Sequence, residues 1–317
     1  MVRINLFNKY IKKTRNQRGG NKKHKGTMRK HNKLVKLNCS PTKKHPNKMP
    51  NTCYDNEDLM RLKDAWNARH SDMKITSNDP AVIWNSLKTY YSKTCDRESC
   101  WIKNLVKGTK MEKELMESFA PESPKEWKKN KNEWLSSIDI LQVMGQYEKK
   151  YKCFEFMGPS PIDYYVVPNV HEKCVWPELC GFQLSEQIAK GKTKIGVIFN
   201  LDPHTKGGSH WVSLFINIKK KWIFYYDSAG EDIPKEIKKL VDTVMEQGKQ
   251  MSPPIHFHFD KNYPVEHQYG NTECGMYSLF FIVHMLEDKF TTHYLKTHKF
   301  NDKYMEKFRK VYFNSDL

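Results

Sequence analysis

The chain of 317 residues is 38% hydrophobic and 13% aromatic, enough apolar material for one large core or two modest ones and too much for a wholly disordered chain. No apolar run reaches the ~18 residues a membrane span requires, and the basic first stretch lacks a signal peptide's apolar centre, so the expectation is a soluble protein that is not secreted. Of the formal net charge of +18, residues 1–50 supply +16, from 16 Lys and Arg and no acid; the rest of the chain balances 38 basic against 36 acidic groups. The first 50 residues therefore read as a solvated, flexible tail able to attract polyanions such as nucleic acid without reading sequence.

Beyond the tail, "DLMRLKDAWNARH" sets Leu59, Leu62 and Trp66 on one helical face. "DPAVIWNSLKTYY" repeats the pattern with Val82, Ile83, Leu87, Tyr90 and Tyr91 behind an Asp79 cap and a first-turn Pro80. Residues 51–130 are expected to form a helical accessory domain, and residues 131–317 a second domain. That second domain opens on a helix that Ser137 can cap, with Ile140, Val143, Met144 and Tyr147 on one face. "KIGVIFNL", "HWVSLFINI" and "KWIFYYDS" read as strands, the last two joined by a Lys-rich turn. "IPKEIKKLVDTVMEQG" gives an amphipathic helix with Gly248 near its end, and "IHFHF" another short strand. Met276 to Leu286 is apolar nearly all round, as a central buried helix would be. The fold class is α+β: an antiparallel sheet, flanking helices, and a buried helix entered through Cys274.

Eight cysteines stand at 39, 53, 95, 100, 153, 174, 180 and 274, without the density of a secreted disulfide framework. The pairs 95/100 and 174/180 lack the usual two-residue zinc spacing, so no metal is expected and most thiols should be reduced bystanders. Cys274 differs in place: it joins a polar loop to the apolar run, where a helix N-terminus lowers a thiol pKa and aims a nucleophile.

A thiolate nucleophile needs a base, a group to orient that base, and donors for the developing oxyanion. His210 begins one strand of the Lys-rich hairpin and Asp227 ends the other, and antiparallel pairing sets the start of one strand beside the end of the next. Asp227 can thus fix the His210 tautomer. Gln268, six residues before Cys274, can aim its amide at the oxyanion together with the Cys274 backbone N–H. The histidines at 204, 256, 258 and 267 are rivals for the base, but none combines a strand start with a neighbouring strand that ends in a carboxylate.

"GGSHWVSLFINIKKKWIFYYDS" followed by "HQYGNTECGMYSLFF" resembles the cysteine proteases that cut after Gly-Gly: the ubiquitin-like-protein proteases, the adenoviral protease and the SUMO-protease-like enzymes of large cytoplasmic DNA viruses. The ordered set His210-Trp211, Asp227, Gln268 and Cys274-Gly275 carries the likeness, and "WLSSIDILQVMGQYEKK" with "FMGPSPIDYYVVP" resembles the start of the viral group's catalytic domain. The match covers roughly residues 131 to 290. It implies a papain-like or adenain-like core, a channel that admits glycine between aromatic walls, here Trp211 and Trp134, and no cofactor beyond a DNA or peptide activator. The long basic front favours a virion polyprotein as substrate, with a virion and host-cytoplasm location. It also makes Gly19-Gly20 in the tail a self-processing candidate, Gly207-Gly208 being a poorer one beside His210. The alternatives are a deconjugating protease for a ubiquitin-like modifier, an acyltransferase using the same residues, and an inactive nucleic-acid-binding virion protein.

Overall fold

A computed structural model describes residue 34 and residues 38–43, 52–169 and 173–314. The chain divides into two units, 1–33 and 34–317, and every described residue belongs to the second. Its helical region begins with α1 (Asn56–Asn67), where Asp55 and Asp58 exchange backbone and side-chain hydrogen bonds in a capping box and Leu59, Leu62 and Trp66 turn inward. In α2 (Pro80–Tyr90), Asp79 accepts from the Ala81 and Val82 N–H groups. The buried face of α2 is narrower than its sequence suggests: Ile83 and Leu87 are buried, whereas Val82, about 100° round the helix from Ile83, is 46% exposed. Helices α3 (Glu98–Leu105) and α4 (Lys110–Met116) close this core around Tyr54, Trp101 and Phe119.

The structured chain starts earlier than the composition indicates. Within the stretch read as a tail, Ser40 donates its N–H to the Ser118 carbonyl (3.0 Å), Asn38 accepts from Ala120 N (2.9 Å), and Lys43 pairs with Asp55 and Asp58 at 2.9 and 2.8 Å. The candidate self-processing pair Gly19-Gly20 lies outside the described residues. The expected boundary near residue 130 also shifts, because Trp127 packs into the core of the following region.

The cysteines correct a second expectation. Six of them pair as disulfides, Cys39–Cys53, Cys95–Cys100 and Cys174–Cys180, in place of reduced bystanders. Cys153 and Cys274 stay free. Among the described residues no cluster of three or more His, Cys, Asp and Glu could hold a metal, and no helix is long and apolar enough to cross a membrane.

The larger region opens on α5 (Ser137–Lys150), capped by Ser136, one residue before the expected cap, in a reciprocal box with Asp139. Strands β1 (Phe154–Phe156) and β2 (Ser160–Pro161) follow, then short helices α6 (Pro177–Cys180) and α7 (Leu184–Ala189). The centre is β3 (Lys194–Asn200), β4 (Trp211–Asn217) and β5 (Trp222–Tyr226), antiparallel throughout. Helix α8 (Lys235–Lys249) crosses over to β6 (His258–Lys261), and α9 (Cys274–Leu286) leads into α10 (Thr292–Thr297), α11 (Asp302–Glu306) and α12 (Arg309–Tyr312).

The sheet order is β1-β3-β4-β5-β6 with β2 also on β3, and the edges are parallel, so the sheet is mixed and not purely antiparallel as expected. The reason is connectivity: helical crossovers, α6–α7 and α8, return the chain to the same end of the sheet, which only parallel pairing accommodates. Strand β6 starts three residues later than "IHFHF" suggests, because the Ile255 N–H is still bonded to the Gly248 carbonyl at the end of α8 (2.8 Å).

Strand alternation sorts the side chains into two cores. Val212, Leu214, Ile216, Ile223 and Tyr225 face α7 and α8. Phe215, Phe224, Tyr226 and Ile198 face α5 and α9, and all thirteen residues of α9 are buried. That burial extends to His284, whose Nδ1 lies 2.7 Å from the Phe280 carbonyl and whose ring stacks on Phe290, and to His267, which stacks on Phe300 beside Tyr226.

Desolvation pushes both imidazoles down to about 4, against the small opposing effect of a backbone hydrogen bond, with the Lys289 and Lys299 charges adding to the depression. Neutral in the fold and free to charge near 6.5 when unfolded, they contribute stability in full above pH 6.5 that is lost as pH falls toward 4. The urea midpoint should therefore drop between pH 7.5 and pH 5, and His284→Gln should reduce that drop; the same slope in wild type and variant would contradict this assignment.

Candidate active site

The β4–β5 register pairs Ser213 with Tyr226; continued outward, it sets Val212 against Asp227, with His210 two residues beyond on the same side of its strand as Val212. The consequence is a direct bond: His210 Nε2 lies 2.6 Å from Asp227 Oδ1. Asp227 is buried and His210 only partly so, and Cys274, the first residue of α9, is near enough to act on the His210 ring. Burial pulls the His210 pKa down, but the hydrogen bonds and charges of Asp227 and Cys274 outweigh it and raise the pKa to about 10. An imidazole held by a carboxylate beside a thiol is placed to act as its base.

Asp227 is itself held from several sides. Its Oδ1 also accepts from Ala229 N (2.9 Å), its N–H donates to Asn262 Oδ1 (2.9 Å), and its carbonyl accepts from Asn262 Nδ2 (2.7 Å). "DSAG" is more than an ordinary turn. Gly230 has φ +73°, and a Cβ there would lie 2.7 Å from Glu266 N, so only glycine lets the 265–268 loop approach. Gln268 is buried in that loop, accepting from Ser228 Oγ at 2.7 Å and donating through Nε2 to the Gly270 carbonyl at 2.8 Å.

The aromatic candidates sit side by side on one opening. Trp211 is buried, donates its indole N–H to the Leu135 carbonyl (3.0 Å), and with Leu135 covers Gly275, where a Cβ would meet both at 3.1–3.3 Å. Trp134 is half-buried. Both tryptophans line a groove of about 1480 Å³ whose wall also includes Leu135, Asn200, Gly207 and Gly208. Among the rival histidines, His204 pairs with Asp163 (2.7 Å) on the groove rim and His267 is a neutral core residue, so His210 is the one joined to both a carboxylate and Cys274.

Sequence reasoning missed Asn262, Ser228 and a buried ion pair. Arg309, from α12, binds the Glu273 carboxylate through Nη2 (2.7 Å) and Nε (3.0 and 3.1 Å), donates to the Glu133 (2.8 Å) and Thr272 (3.2 Å) carbonyls, and lies over the Trp127 ring. It ties the residue before Cys274 to the segment that carries Trp134 and Leu135. No local pattern marks a residue 36 positions away, so only the tertiary structure reveals it.

Removing one member of a buried pair strands the other charge, at a cost of about 3–5 kcal/mol. Arg309→Met should therefore lower the unfolding free energy by about that amount, and adding Glu273→Gln should recover part of it. Equal losses in the single and double variants would remove the ion pair as the cause.

Residues 186–316 match the family model for the Ulp1 protease family C-terminal catalytic domain. The chain is similar to the cysteine protease of African swine fever virus, 30% identical over 262 residues that span 74% of this chain and 91% of the relative, from a Malawi tick isolate. It is also similar to a protein of Acanthamoeba polyphaga mimivirus named for thiol-protease activity, 28% identical over 270 residues, 78% of this chain and 84% of that one. The crystal structure of the African swine fever virus protease shares the fold, with a TM-score of 0.62 at 20% identity over 89% of this chain and 97% of the other. The shared fold, the sequence match across most of both chains and the matched catalytic domain together make this chain a cysteine protease of the Ulp1 family, similar to its viral members.

Proposed function

We propose that the protein is an endopeptidase that cleaves after Gly-Gly, with Cys274 as nucleophile, His210 as base and acid, Asp227 as the group orienting His210, and Gln268 with the Cys274 N–H as oxyanion donors. The observation that carries this reading is the 2.6 Å bond from His210 Nε2 to Asp227, on a ring that also feels Cys274 at the start of a buried helix. His210 takes the Cys274 proton. The thiolate attacks the carbonyl of the second glycine, whose π pair moves to the oxygen under the Gln268 amide and the Cys274 N–H. As the intermediate collapses, the C–N bond breaks and His210 protonates the leaving amine; water then attacks the thioester and restores the thiol. Trp211 and Trp134 would wall the approach, where a channel too narrow for a Cβ admits glycine alone, a sharper filter than the ~1–3 kcal/mol per methylene of an open apolar pocket.

The natural substrate in this reading is a virion polyprotein, met in the virion and host cytoplasm. A relative from another African swine fever virus isolate is named a SUMO-1 cysteine protease, which supports the second reading, a deconjugating enzyme for ubiquitin-like proteins. Residues 1–33 would hold the enzyme near nucleic acid by charge, and the self-processing site would be Gly19-Gly20. Affinity for duplex DNA that falls with salt and disappears on deleting residues 1–33 would support the first role. A mass that stays unchanged on long incubation would remove the second.

Wild type should cleave Gly-Gly-X peptides, lose cleavage when the second glycine becomes alanine, and be inactive as Cys274→Ala. Cutting by Cys274→Ala would overturn the mechanism; cutting of a ubiquitin-like precursor but no Gly-Gly-X peptide would select the second reading. Because His210 keeps its proton to about pH 10, kcat/KM should hold on the alkaline side until near that value. Asp227→Asn should lower kcat by about 10²–10⁴ and move the alkaline limb to lower pH. An unmoved limb would separate Asp227 from the titration.

A further inference from the structure

We infer that Ser228, the residue after Asp227, is the positioning residue that anchors the oxygen end of the Gln268 amide, so that the nitrogen end, whose orientation the Gly270 carbonyl selects, is held toward the reacting carbonyl; this rests on the oxyanion role proposed for Gln268.

A glutamine amide presents two acceptor sites on oxygen and two donors on nitrogen, and only the nitrogen end can stabilise an oxyanion. The two ends are nearly equal in shape, so packing alone does not choose between them. Here the choice is made by hydrogen bonds in a buried setting: the Ser228 hydroxyl donates to Gln268 Oε1 at 2.7 Å, and Gln268 Nε2 donates to the Gly270 carbonyl at 2.8 Å. A flipped amide would set its oxygen against the Gly270 carbonyl, two acceptors with no proton between them. With the oxygen held by Ser228 and one N–H by Gly270, the second N–H is the donor left over.

Ser228 fixes the loop as well as the amide. Its carbonyl accepts from both the His267 N–H (2.8 Å) and the Gln268 N–H (2.9 Å), so backbone and side chain of Gln268 are tied to one residue. Ser228 is 1% exposed, which leaves no bulk water to replace its hydroxyl. The backbone bonds survive a change to alanine and the hydroxyl bond does not. Ser228→Ala therefore removes the anchor of the amide oxygen while keeping the loop and the Gly270 bond, and that separation makes the inference testable.

The experiment measures kcat and KM on a Gly-Gly-X peptide for wild type, Ser228→Ala, Gln268→Ala and the double variant, with the iodoacetamide alkylation rate of Cys274 for each. Alkylation needs the His210–Cys274 pair but passes through no oxyanion. Expected is a fall in kcat of about 10–100-fold for Ser228→Ala, below the ~10²–10³ of losing an oxyanion donor outright because the donor is loosened and not removed, with KM unchanged. Ser228→Ala should add nothing in the Gln268→Ala background, and alkylation should match wild type throughout. Wild-type kcat in Gln268→Ala would overturn the oxyanion reading and this inference with it. A crippled Gln268→Ala in which Ser228→Ala costs a further factor, or alkylation that slows with Ser228→Ala, would leave the oxyanion reading standing and overturn this inference, since Ser228 would then act through Asp227 and His210.

Discussion

The burial of α9 on every residue is the constraint from which the rest of the active-site region follows. A helix with no solvent face must be wrapped, and here the sheet, α5 and the three C-terminal helices do so. Its N-terminus is then fixed in space, and with it the Cys274 thiol at the edge of the core, where the sequence turns from apolar helix to polar loop. A reacting side chain on a mobile segment would lose the geometric precision that proximity effects require, and the nucleophile role proposed for Cys274 draws on this fixed place. Gly275 completes the arrangement, because the missing side chain lets Trp211 and Leu135 close over the helix start.

The end of β5 has the complementary role. Within four residues it supplies the carboxylate that holds His210, the hydroxyl that holds Gln268, a backbone N–H for Asp227, and a glycine whose positive φ brings the Gln268 loop close. Asn262 holds this turn from the other side through both its amide atoms. The supports of His210 and of Gln268 are thus built on one rigid corner and share its errors: a shift of the corner would move both at once. Arg309 does the equivalent for the other half, binding the residue before Cys274 and the groove wall into one unit.

The helical region is fastened to this core at several points. Gln146 on α5 donates to the Phe119 carbonyl, Asn38 and Asn314 bridge the two chain ends, and the Ser123 N–H bonds the Asn314 carbonyl. Two disulfides, Cys39–Cys53 and Cys95–Cys100, staple the same region. A short helical layer buries little surface by itself, and such links compensate by limiting the unfolded chain. The third disulfide, Cys174–Cys180, stands by the groove, since Cys174 and Trp176 both line it.

The sequence by itself determined what depends on neighbours along the chain. Periodicity located α1, α5, α8, α9 and the three central strands, because burial on one face or all faces leaves a pattern within a single element. The pairing of His210 with Asp227 was legible for a related reason: a hairpin converts sequence distance into a simple register. The three disulfides were not legible because cysteine spacing alone does not fix the backbone geometry that closes them; nor were the parallel edges of the sheet and the narrower face of α2, since each depends on which distant segment packs where. Ser228, Asn262 and Arg309 belong to the same class. Serine, asparagine and arginine carry no periodic signal, and their importance comes from partners 40, 35 and 36 residues away that only the folded chain brings within hydrogen-bonding distance.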